Sequence, residues 1–359
     1  MPEESILVTG ACGFIGKHLV KTLVDGGFRV TACDLPSADF SWCEDLGVRA
    51  LAGDLMNREF ASKVVQGIDG VFNLAAAFDL SLPVYELVSK NVGIVKNLAE
   101  AAARAGVRSF IHFSTCDVFG LKRKGPTHED EQKKPRCAYS YSKLLSEEAA
   151  MRYSSEKGMS ISIIRPTFVY GPGAIYTAGA FIALSALLKR YTESIPLPRG
   201  GPMINTIHVE DLVRATVIVY EARKKARGLA FNVADDSKMC AFDFLRYIFE
   251  PFGITCSRPL RLPWALVEGA ARIAGKIPVS FYRRAEAFLQ KKWKKIIQEE
   301  GLKSALSVKF DRDFLGYVYG DHCYSNERIK SLGWVPKFPT FKDGWSLTVQ
   351  WYRENGYIP

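Results

Sequence analysis

TGACGFIG at residues 9–16 is the stretch that decides the fold, because it joins a short apolar strand to a helix. The strand before it is predicted over Ser5–Val8, and the helix after it over Phe14–Val24. Glycines allow the backbone to approach a phosphate closely, and the N–H groups at a helix N-terminus favour an anion. The spacing is GxxGxxG rather than the GxGxxG of the ordinary dinucleotide fingerprint. We therefore predict that this turn holds a dinucleotide pyrophosphate.

An acidic residue follows the turn at the distance that such a site needs. Asp34 lies 24 residues after Gly10, at the end of a second predicted strand, Arg29–Cys33. A carboxylate there can accept hydrogen bonds from ribose hydroxyls and would repel a 2′-phosphate. Leu35 and Pro36 follow it, not a basic residue, so NAD is favoured over NADP. The simpler alternative is an aspartate that caps the end of a strand.

The rest of the first half alternates strands with helices, as a parallel sheet with crossover helices requires. This predicts an α/β fold, a Rossmann-type doubly wound parallel sheet with a smaller, mostly helical C-terminal substrate lobe. The NAD-binding domain is predicted over residues 1–173 plus about 206–235, and the substrate lobe over about 174–205 plus 236–359. The further strands are predicted at Val71–Leu74, Phe110–Ser114, Ser160–Ile164 and Ala230–Ala234, and the helices at Asn91–Ala105, Tyr139–Lys157 and from Ile207 to about Arg223.

A tyrosine and a lysine stand one helical turn apart in the stretch YSYSK at residues 139–143. Residues at i and i+4 share a helix face, so the Tyr139 hydroxyl and the Lys143 amine can address one volume. A free tyrosine ionises near pH 10, and a neighbouring cation lowers that pKa. The pair is thus a candidate proton-transfer site. By itself it is weak evidence, because such pairs also occur by chance.

These stretches together resemble the extended short-chain dehydrogenase/reductases, the NAD-dependent epimerase/dehydratase superfamily. TGACGFIG resembles their TGxxGxxG, Tyr139 and Lys143 their YxxxK, and the segment 113–120 their (S)SxxVYG, with Thr115 in the serine position. The stretch NVGIVKNLAEAA from Asn91 and the block at residues 165–172 are also similar. The matches span residues 5–235 in the family's order.

The resemblance implies roles for particular residues. The catalytic residues would be Thr115, Tyr139 and Lys143: Tyr139 exchanges a proton with the substrate oxygen, Lys143 lowers the pKa of Tyr139 and holds the nicotinamide ribose, and Thr115 orients the same oxygen. The cofactor-binding residues would be Gly10, Gly13, Phe14, Ile15, Gly16, Asp34, Asp54, Leu55, Ala75, Asn91, Tyr139, Lys143 and Pro166. A non-enzymatic dinucleotide sensor of this fold typically lacks the Tyr/Lys pair, which this chain keeps.

The class of substrate is inferred from positions where this chain differs from the pattern of the family. Phe168 occupies the place of an asparagine, and INT at residues 204–206 stands where an Arg-Asp-Phe is usual in enzymes of sugar nucleotides. The tail at residues 324–336 and the basic C-terminal half most resemble the 3β-hydroxysteroid dehydrogenase-like branch. We therefore expect interconversion of a secondary alcohol and a ketone on a hydrophobic, steroid- or lipid-like substrate. The alternative is a sugar-nucleotide epimerase or dehydratase with retained NAD.

The positive charge of the chain is local. The net charge is +10, and the segment from Ser257 to Ile297 has ten basic and two acidic residues, which leaves +8. Residues 257–300 combine this charge with apolar residues at helical spacing and with tryptophans, as in helices that lie on an anionic membrane surface. The equal alternative is a helix that packs its apolar stripe on the core. No nucleic-acid motif accompanies the charge, so a nucleic-acid partner is not expected.

Other features limit the location and the cofactors. The eight cysteines are scattered without CxxC or metal-ligand spacing, so we expect reduced thiols, a cytoplasmic setting and no metal. The apolar stretch Ala174–Leu188 has only 15 residues, which predicts a buried helix rather than a membrane span. No signal peptide is expected before the first strand. The family resemblance allows a homodimer.

Overall fold

The computed structural model describes residues 4–78, 82–121, 125–256, 263–309, 315 and 317–359. Its centre is a seven-stranded sheet in the order β10-β6-β5-β4-β1-β2-β3, with every neighbouring pair parallel. The strands are β1 Ser5–Thr9, β2 Arg29–Asp34, β3 Arg49–Ala52, β4 Gly70–Asn73, β5 Ser109–Phe113, β6 Ser160–Pro166 and β10 Ala230–Val233. The order reverses direction at β1, which is where a doubly wound sheet opens a binding crevice. The predicted α/β Rossmann-type fold is confirmed.

Helices cover both faces of this sheet and bury it. On one face α1 (Phe14–Asp25) and α7 (Val209–Glu221) pack their apolar residues against the strands. On the other face lie α3 (Arg58–Val64), α4 (Val84–Arg104) and α5 (Ala138–Lys157). The residues of β1, β4 and β5 are accordingly all buried, as continuous apolar runs in a parallel sheet require.

Three short elements between β2 and β4 were not predicted. They are α2 (Ser41–Asp45), the edge strand β3 and α3. The strand β3 reads RALA and is largely exposed, so it carries no apolar run that would mark it as a strand. The helix α3 begins at a clear cap, where the Asn57 side chain accepts hydrogen bonds from the N–H groups of Glu59 and Phe60.

The remaining helices build a second apolar cluster. Most of its buried members lie on four helices, α6, α9, α11 and α13, and they include Trp293 and Trp345. These and the other elements are α6 Thr177–Lys189, α8 Arg223–Ala226, α9 Ala241–Phe249, α10 Trp264–Ala274, α11 Val279–Glu300, α12 Glu327–Lys330, α13 Phe341–Glu354, β7 Phe168–Tyr170, β8 Met203–Ile204, β9 Thr206–His208 and β11 Met239–Cys240. β7 pairs with β9, and β8 with β11. The boundaries of the two lobes stay a prediction.

The apolar stretch at residues 174–188 forms the buried helix α6, as predicted. Among the helices of the described ranges, none combines the length and the apolar character needed to cross a bilayer. The predicted basic segment forms α10 and α11, while residues 257–262 at its start lie outside the described part of the chain.

A buried ion pair joins α5 to the sheet. Arg165 on β6 donates from Nε to Glu147 Oε1 at 2.8 Å and from Nη2 to Glu147 Oε2 at 2.6 Å. The two side chains are only 4% and 5% exposed. The Arg165 Nη1 group also donates to the Glu129 carbonyl at 3.0 Å. Because Glu147 lies one turn after Lys143, this pair fixes the part of α5 that carries the predicted catalytic residues.

Candidate active site

The glycine turn between β1 and α1 has the shape that a pyrophosphate site requires. Gly10 has φ of 67°, and a Cβ there would lie 2.9 Å from the Ala75 nitrogen. A Cβ on Gly16 would lie 2.2 Å from the Gly10 carbonyl oxygen. Both positions therefore demand glycine. The helix α1 starts without a side-chain cap, so its first N–H groups are left for an anionic ligand.

Asp34 lies at the end of β2 and is tied to this turn. Its Oδ2 accepts a hydrogen bond from the Cys12 N–H at 2.8 Å, and its Oδ1 accepts one from the Leu35 N–H at 2.8 Å. The two bonds orient the carboxylate over the turn and leave each oxygen a further lone pair. Asp34 thus caps the strand end and also lines the cavity, and its contact with a ribose stays a prediction.

One cavity of about 1670 Å³ collects nearly all of the predicted cofactor residues. Ordinary small-molecule pockets measure about 300–1,000 Å³, so this one has room for a dinucleotide and a second molecule. Ala75 follows β4, Ser114 follows β5 and Pro166 ends β6, so the carboxyl ends of three adjacent strands meet here. The predicted residues that line it are Gly10, Gly13, Phe14, Ile15, Gly16, Asp34, Asp54, Leu55, Ala75, Tyr139, Lys143 and Pro166.

Asn91 is the predicted cofactor residue that does not line this cavity. Its Oδ1 accepts a hydrogen bond from the Ala77 N–H at 2.7 Å, and its Nδ2 donates to the Ala77 carbonyl and to Ser142 Oγ at 3.2 and 2.8 Å. The side chain is buried, and its polar atoms are engaged. In the structure, the Asn91 side chain holds the loop after β4 against α5, whereas we expected it to contact the cofactor.

The three predicted catalytic residues all line the cavity. Thr115 follows β5, and its hydroxyl oxygen accepts a hydrogen bond from the Asp117 N–H at 3.2 Å, while the hydroxyl also hydrogen-bonds the Asp117 carboxyl group. Tyr139 is half-buried in the first turn of α5, and its ring meets Phe78 edge-on at 4.8 Å. Lys143 is buried one turn further along the helix.

The electrostatics of the pair differ from the sequence-based expectation. Burial, with the Asp117 carboxylate and Cys137 adding to it, raises the pKa of Tyr139 above its usual range. Burial also lowers the pKa of Lys143 to about 8, against the opposing effect of Glu147. We expected Lys143 to lower the pKa of Tyr139, and the structure gives the opposite direction. The reason is desolvation, which disfavours the charged form of both groups.

Asp117 is a titratable residue of the cavity lining that was not predicted from the sequence. Burial raises the pKa of its carboxyl group, against hydrogen bonds from Tyr317 and Thr115. The Tyr317 hydroxyl donates to Asp117 Oδ2 at 3.0 Å, and the Tyr317 ring packs on His322 at 4.6 Å. The signal was present, because Asp117 follows Thr115 by two residues inside a motif segment. The site thus contains a carboxyl group near enough to Tyr139 to raise its pKa.

The far part of the cavity is mostly apolar. Its walls come from β7, α6, α9 and α10, with the side chains of Phe168, Ile175, Phe181, Phe244, Trp264 and Val267. Three basic residues, Arg136, Arg272 and Lys276, also reach the lining. At the polar end, burial lowers the pKa of His322 to about 4, so its ring is neutral at pH 7. The buried Tyr324 hydroxyl has no hydrogen-bond partner within the described residues.

Metal chemistry has no candidate centre in the described ranges. They hold no group of three His, Cys, Asp or Glu side chains arranged to bind a metal ion. The eight cysteines are free thiols. Burial raises the pKa of Cys12, which lies in the glycine turn, to about 11, so this thiol stays protonated at pH 7.

Known proteins share this fold and this sequence pattern. The dTDP-D-glucose 4,6-dehydratase of Mus musculus is 24% identical over 98% of this chain and 89% of its own. The dihydroflavonol 4-reductase of Arabidopsis thaliana is 28% identical over 70% of this chain and 71% of its own. The UDP-glucose 4-epimerase of Thermotoga maritima, solved with UDP-glucose, superposes with a TM-score of 0.71 over 98% of this chain and 99% of its own, at 22% identity.

These relatives are dehydratases, reductases and epimerases, and they leave the 3β-hydroxysteroid dehydrogenase-like branch a proposal. Residues 6–234 match the family of NAD-dependent epimerases and dehydratases, which is well over half of the chain. The glycine turn, Asp34 and the Thr115, Tyr139 and Lys143 group all fall within this range. The chain therefore belongs to the NAD-dependent epimerase/dehydratase family.

Proposed function

We propose that this protein interconverts a secondary alcohol and a ketone on a hydrophobic, steroid- or lipid-like substrate with NAD. The observation that carries the proposal is the cavity, where Thr115, Tyr139 and Lys143 face a space whose far walls are aromatic and aliphatic. An apolar ring system would replace water along these walls and gain about 25 cal/mol for each Å² of apolar surface buried.

The residues at and near the glycine turn fit NAD. Gly10 and Gly16 allow the close backbone packing of the turn, where a Cβ would clash with other backbone atoms, and the uncapped N-terminus of α1 offers N–H groups for the pyrophosphate. Asp34 would accept hydrogen bonds from the adenosine ribose hydroxyls, and Asp54 and Leu55 would flank the adenine. When bound, NAD supplies the hydride acceptor or donor and, in its oxidised form, a positive charge in the same cavity.

The side chains of the site would divide the remaining work. Thr115 would turn its hydroxyl hydrogen from the Asp117 carboxyl group to the substrate oxygen and orient that oxygen. Tyr139, whose raised pKa keeps it protonated at pH 7, would donate its proton to that oxygen in the reducing direction. Lys143 is protonated below about pH 8 and would hold the nicotinamide ribose. Asp117 would exchange the proton of Tyr139 when the alcohol is oxidised.

A second candidate is a sugar-nucleotide epimerase or dehydratase, and the relatives favour it. The dTDP-D-glucose 4,6-dehydratases match over 98% of this chain, more than the reductases do. Arg136, Arg272 and Lys276 on the lining could pair with a diphosphate. Both candidates share one step, the removal of a hydride from a carbon that bears a hydroxyl group. They differ in the substrate and in whether NADH leaves the protein.

One assay separates the two candidates. The purified protein is given NAD and either a panel of sterols and other apolar alcohols or a panel of UDP- and dTDP-sugars. A dehydrogenase accumulates NADH with an apolar alcohol, and Tyr139→Phe abolishes that signal. Conversion of a sugar nucleotide without net NADH, combined with no NADH from any alcohol, would refute the main proposal and establish the second.

A further inference from the structure

The helices α10 and α11 carry large apolar side chains that point to solvent. On α10 Leu266 is 59% and Ile273 is 70% exposed, and on α11 Phe281 is 61% and Phe288 is 60% exposed. Each pair is seven residues apart, so its two members share one face of their helix over two turns. We call the face formed by these four residues and the basic side chains beside them the outer surface.

This exposure is not a sign of helices that lack a core. Trp293 and Ile296 of α11 are buried in the second apolar cluster, and the Trp293 Nε1 group donates to the Leu306 carbonyl at 3.0 Å. The Tyr282 hydroxyl of α11 donates to the Ala274 carbonyl of α10 at 2.7 Å, which joins the two helices. Other side chains therefore anchor the two helices, and the apolar side chains of the outer surface are not needed for that.

The outer surface is surrounded by positive charge. Residues 263–297 contain eight basic and two acidic residues; Arg272 and Lys276 line the cavity, and the other six basic residues lie on α11. Arg284, Lys291 and Lys295 continue the face of Phe281 and Phe288 along α11 at intervals of three or four residues. Within the described ranges, Arg283, Arg284, Lys291 and Lys294 form no ion pair with a carboxylate. This charge is available to an external anionic partner.

We propose that the outer surface binds the headgroup region of an anionic phospholipid bilayer. Exposed phenylalanines beside unpaired lysines and arginines on one helix face are the chemistry that such an interface selects. Each basic residue near an anionic membrane adds attraction, and the apolar side chains enter the boundary of the acyl chains. Charge complementarity favours a lipid surface, because Arg284 and Lys291 of α11 lie on the same helix face as the exposed Phe281 and Phe288.

The position of α10 links this surface to the cavity. Trp264, Val267 and Ala271 on the inner face of α10 line the cavity, while Leu266 and Ile273 on its outer face are exposed. A bilayer on the outer surface would thus lie against one wall of the substrate space. This part of the inference rests on the proposed function, since only an apolar substrate would enter from a bilayer.

Vesicle co-sedimentation of the full chain tests the surface directly. The protein is mixed with vesicles of phosphatidylcholine alone or of phosphatidylcholine with phosphatidylserine, without NAD or substrate. We expect binding to the anionic vesicles only, weakening as salt is raised. The variant Arg284→Glu/Lys291→Glu should lower the apparent affinity about tenfold or more, and so should Phe281→Ser/Phe288→Ser. Because no enzyme reaction enters this assay, its failure and the failure of the proposed function are distinguishable.

Matched variants control for charge and for exposed apolar area in general. Lys224→Glu/Lys225→Glu makes the same charge change on exposed residues of α8, and Val335→Ser/Leu347→Ser removes two exposed apolar side chains elsewhere. Both should bind vesicles like the unchanged chain. Equal binding to neutral vesicles, no binding to anionic ones, or equal losses in the control variants would overturn the proposal. So would a dimer in light scattering that Phe281→Ser/Phe288→Ser dissociates, because a second copy then covers the surface.

Discussion

Replacing Glu147 by glutamine should weaken both the fold and the site, because this carboxylate faces two cations. It holds Arg165 through two hydrogen bonds of 2.6 and 2.8 Å at a place where both side chains are almost fully buried. Removing one partner of such a pair leaves a buried charge without compensation and costs about 3–5 kcal/mol. We expect Glu147→Gln to lower the free energy of unfolding by this amount and the melting temperature by on the order of 10 °C.

The same substitution should shift the pH dependence of the enzyme. Glu147 raises the pKa of Lys143, which burial has lowered to about 8. A lysine with a lowered pKa is charged below that value and loses its proton as the pH rises through it. Without Glu147, the pKa of Lys143 falls further, so the charged form survives only at lower pH. The alkaline limb of kcat/KM for NAD, which reports the free enzyme, should therefore move to lower pH.

Glu148→Gln is the matched control for this prediction. It makes the same change of charge one residue along α5, but Glu148 is exposed and forms no ion pair within the described residues. Thermal unfolding and the pH profile should both stay within error of the unchanged chain. The prediction is wrong if the free energy of unfolding of Glu147→Gln lies within about 1 kcal/mol of that of the unchanged chain and the alkaline limb of its pH profile does not move. In that case Glu147 neither stabilises α5 nor raises the pKa of Lys143.

Three further substitutions test the parts of the site separately. Tyr139→Phe should reduce kcat by about 10²–10⁴-fold in the NADH assay and leave the affinity for NAD unchanged. Tyr141→Phe, on the exposed side of α5, should keep full activity. Normal turnover of Tyr139→Phe would remove Tyr139 from the mechanism. Gly16→Ala forces a Cβ to 2.2 Å from a carbonyl oxygen and should abolish NAD binding in calorimetry, whereas Gly269→Ala meets no atom within 4 Å and should bind normally. Asp34→Ala should lower the affinity for NAD about tenfold, equivalent to about 1.4 kcal/mol, and should reduce the preference for NAD over NADP. An unchanged preference would show that this carboxylate does not bind the ribose hydroxyls.

The sequence predicted the central part of the fold well, because its signals are local. The strand–turn–helix at residues 5–25 and the helix of Tyr139 and Lys143 appear close to their predicted positions. The edge strand β3 could not be recognised, because its exposed RALA sequence has neither an apolar run nor alternation. The start of α4 at Val84 was also missed, and Asn91, taken as the start of that helix, lies two turns inside it.

The candidate site was predicted in its residues but not in its electrostatics. The motif segments located Thr115, Tyr139 and Lys143, which do meet in one cavity. Burial by distant parts of the chain sets their pKa values, and no spacing rule contains that information. The partnership of Asp117 with Tyr317 spans 200 residues and depends on the fold of the C-terminal lobe. Asn91 shows the same limit, since a motif position cannot say which groups its amide will meet.

The helix α10 takes part in two binding equilibria, one in the cavity and one on the outer surface. Its inner residues line the cavity, and its outer residues face solvent. A ligand that changes the position of this helix changes the free energy of whatever binds on the other side. By thermodynamic linkage, the factor by which an outer partner alters substrate affinity equals the factor by which substrate alters affinity for that partner. Measuring either coupling therefore determines both.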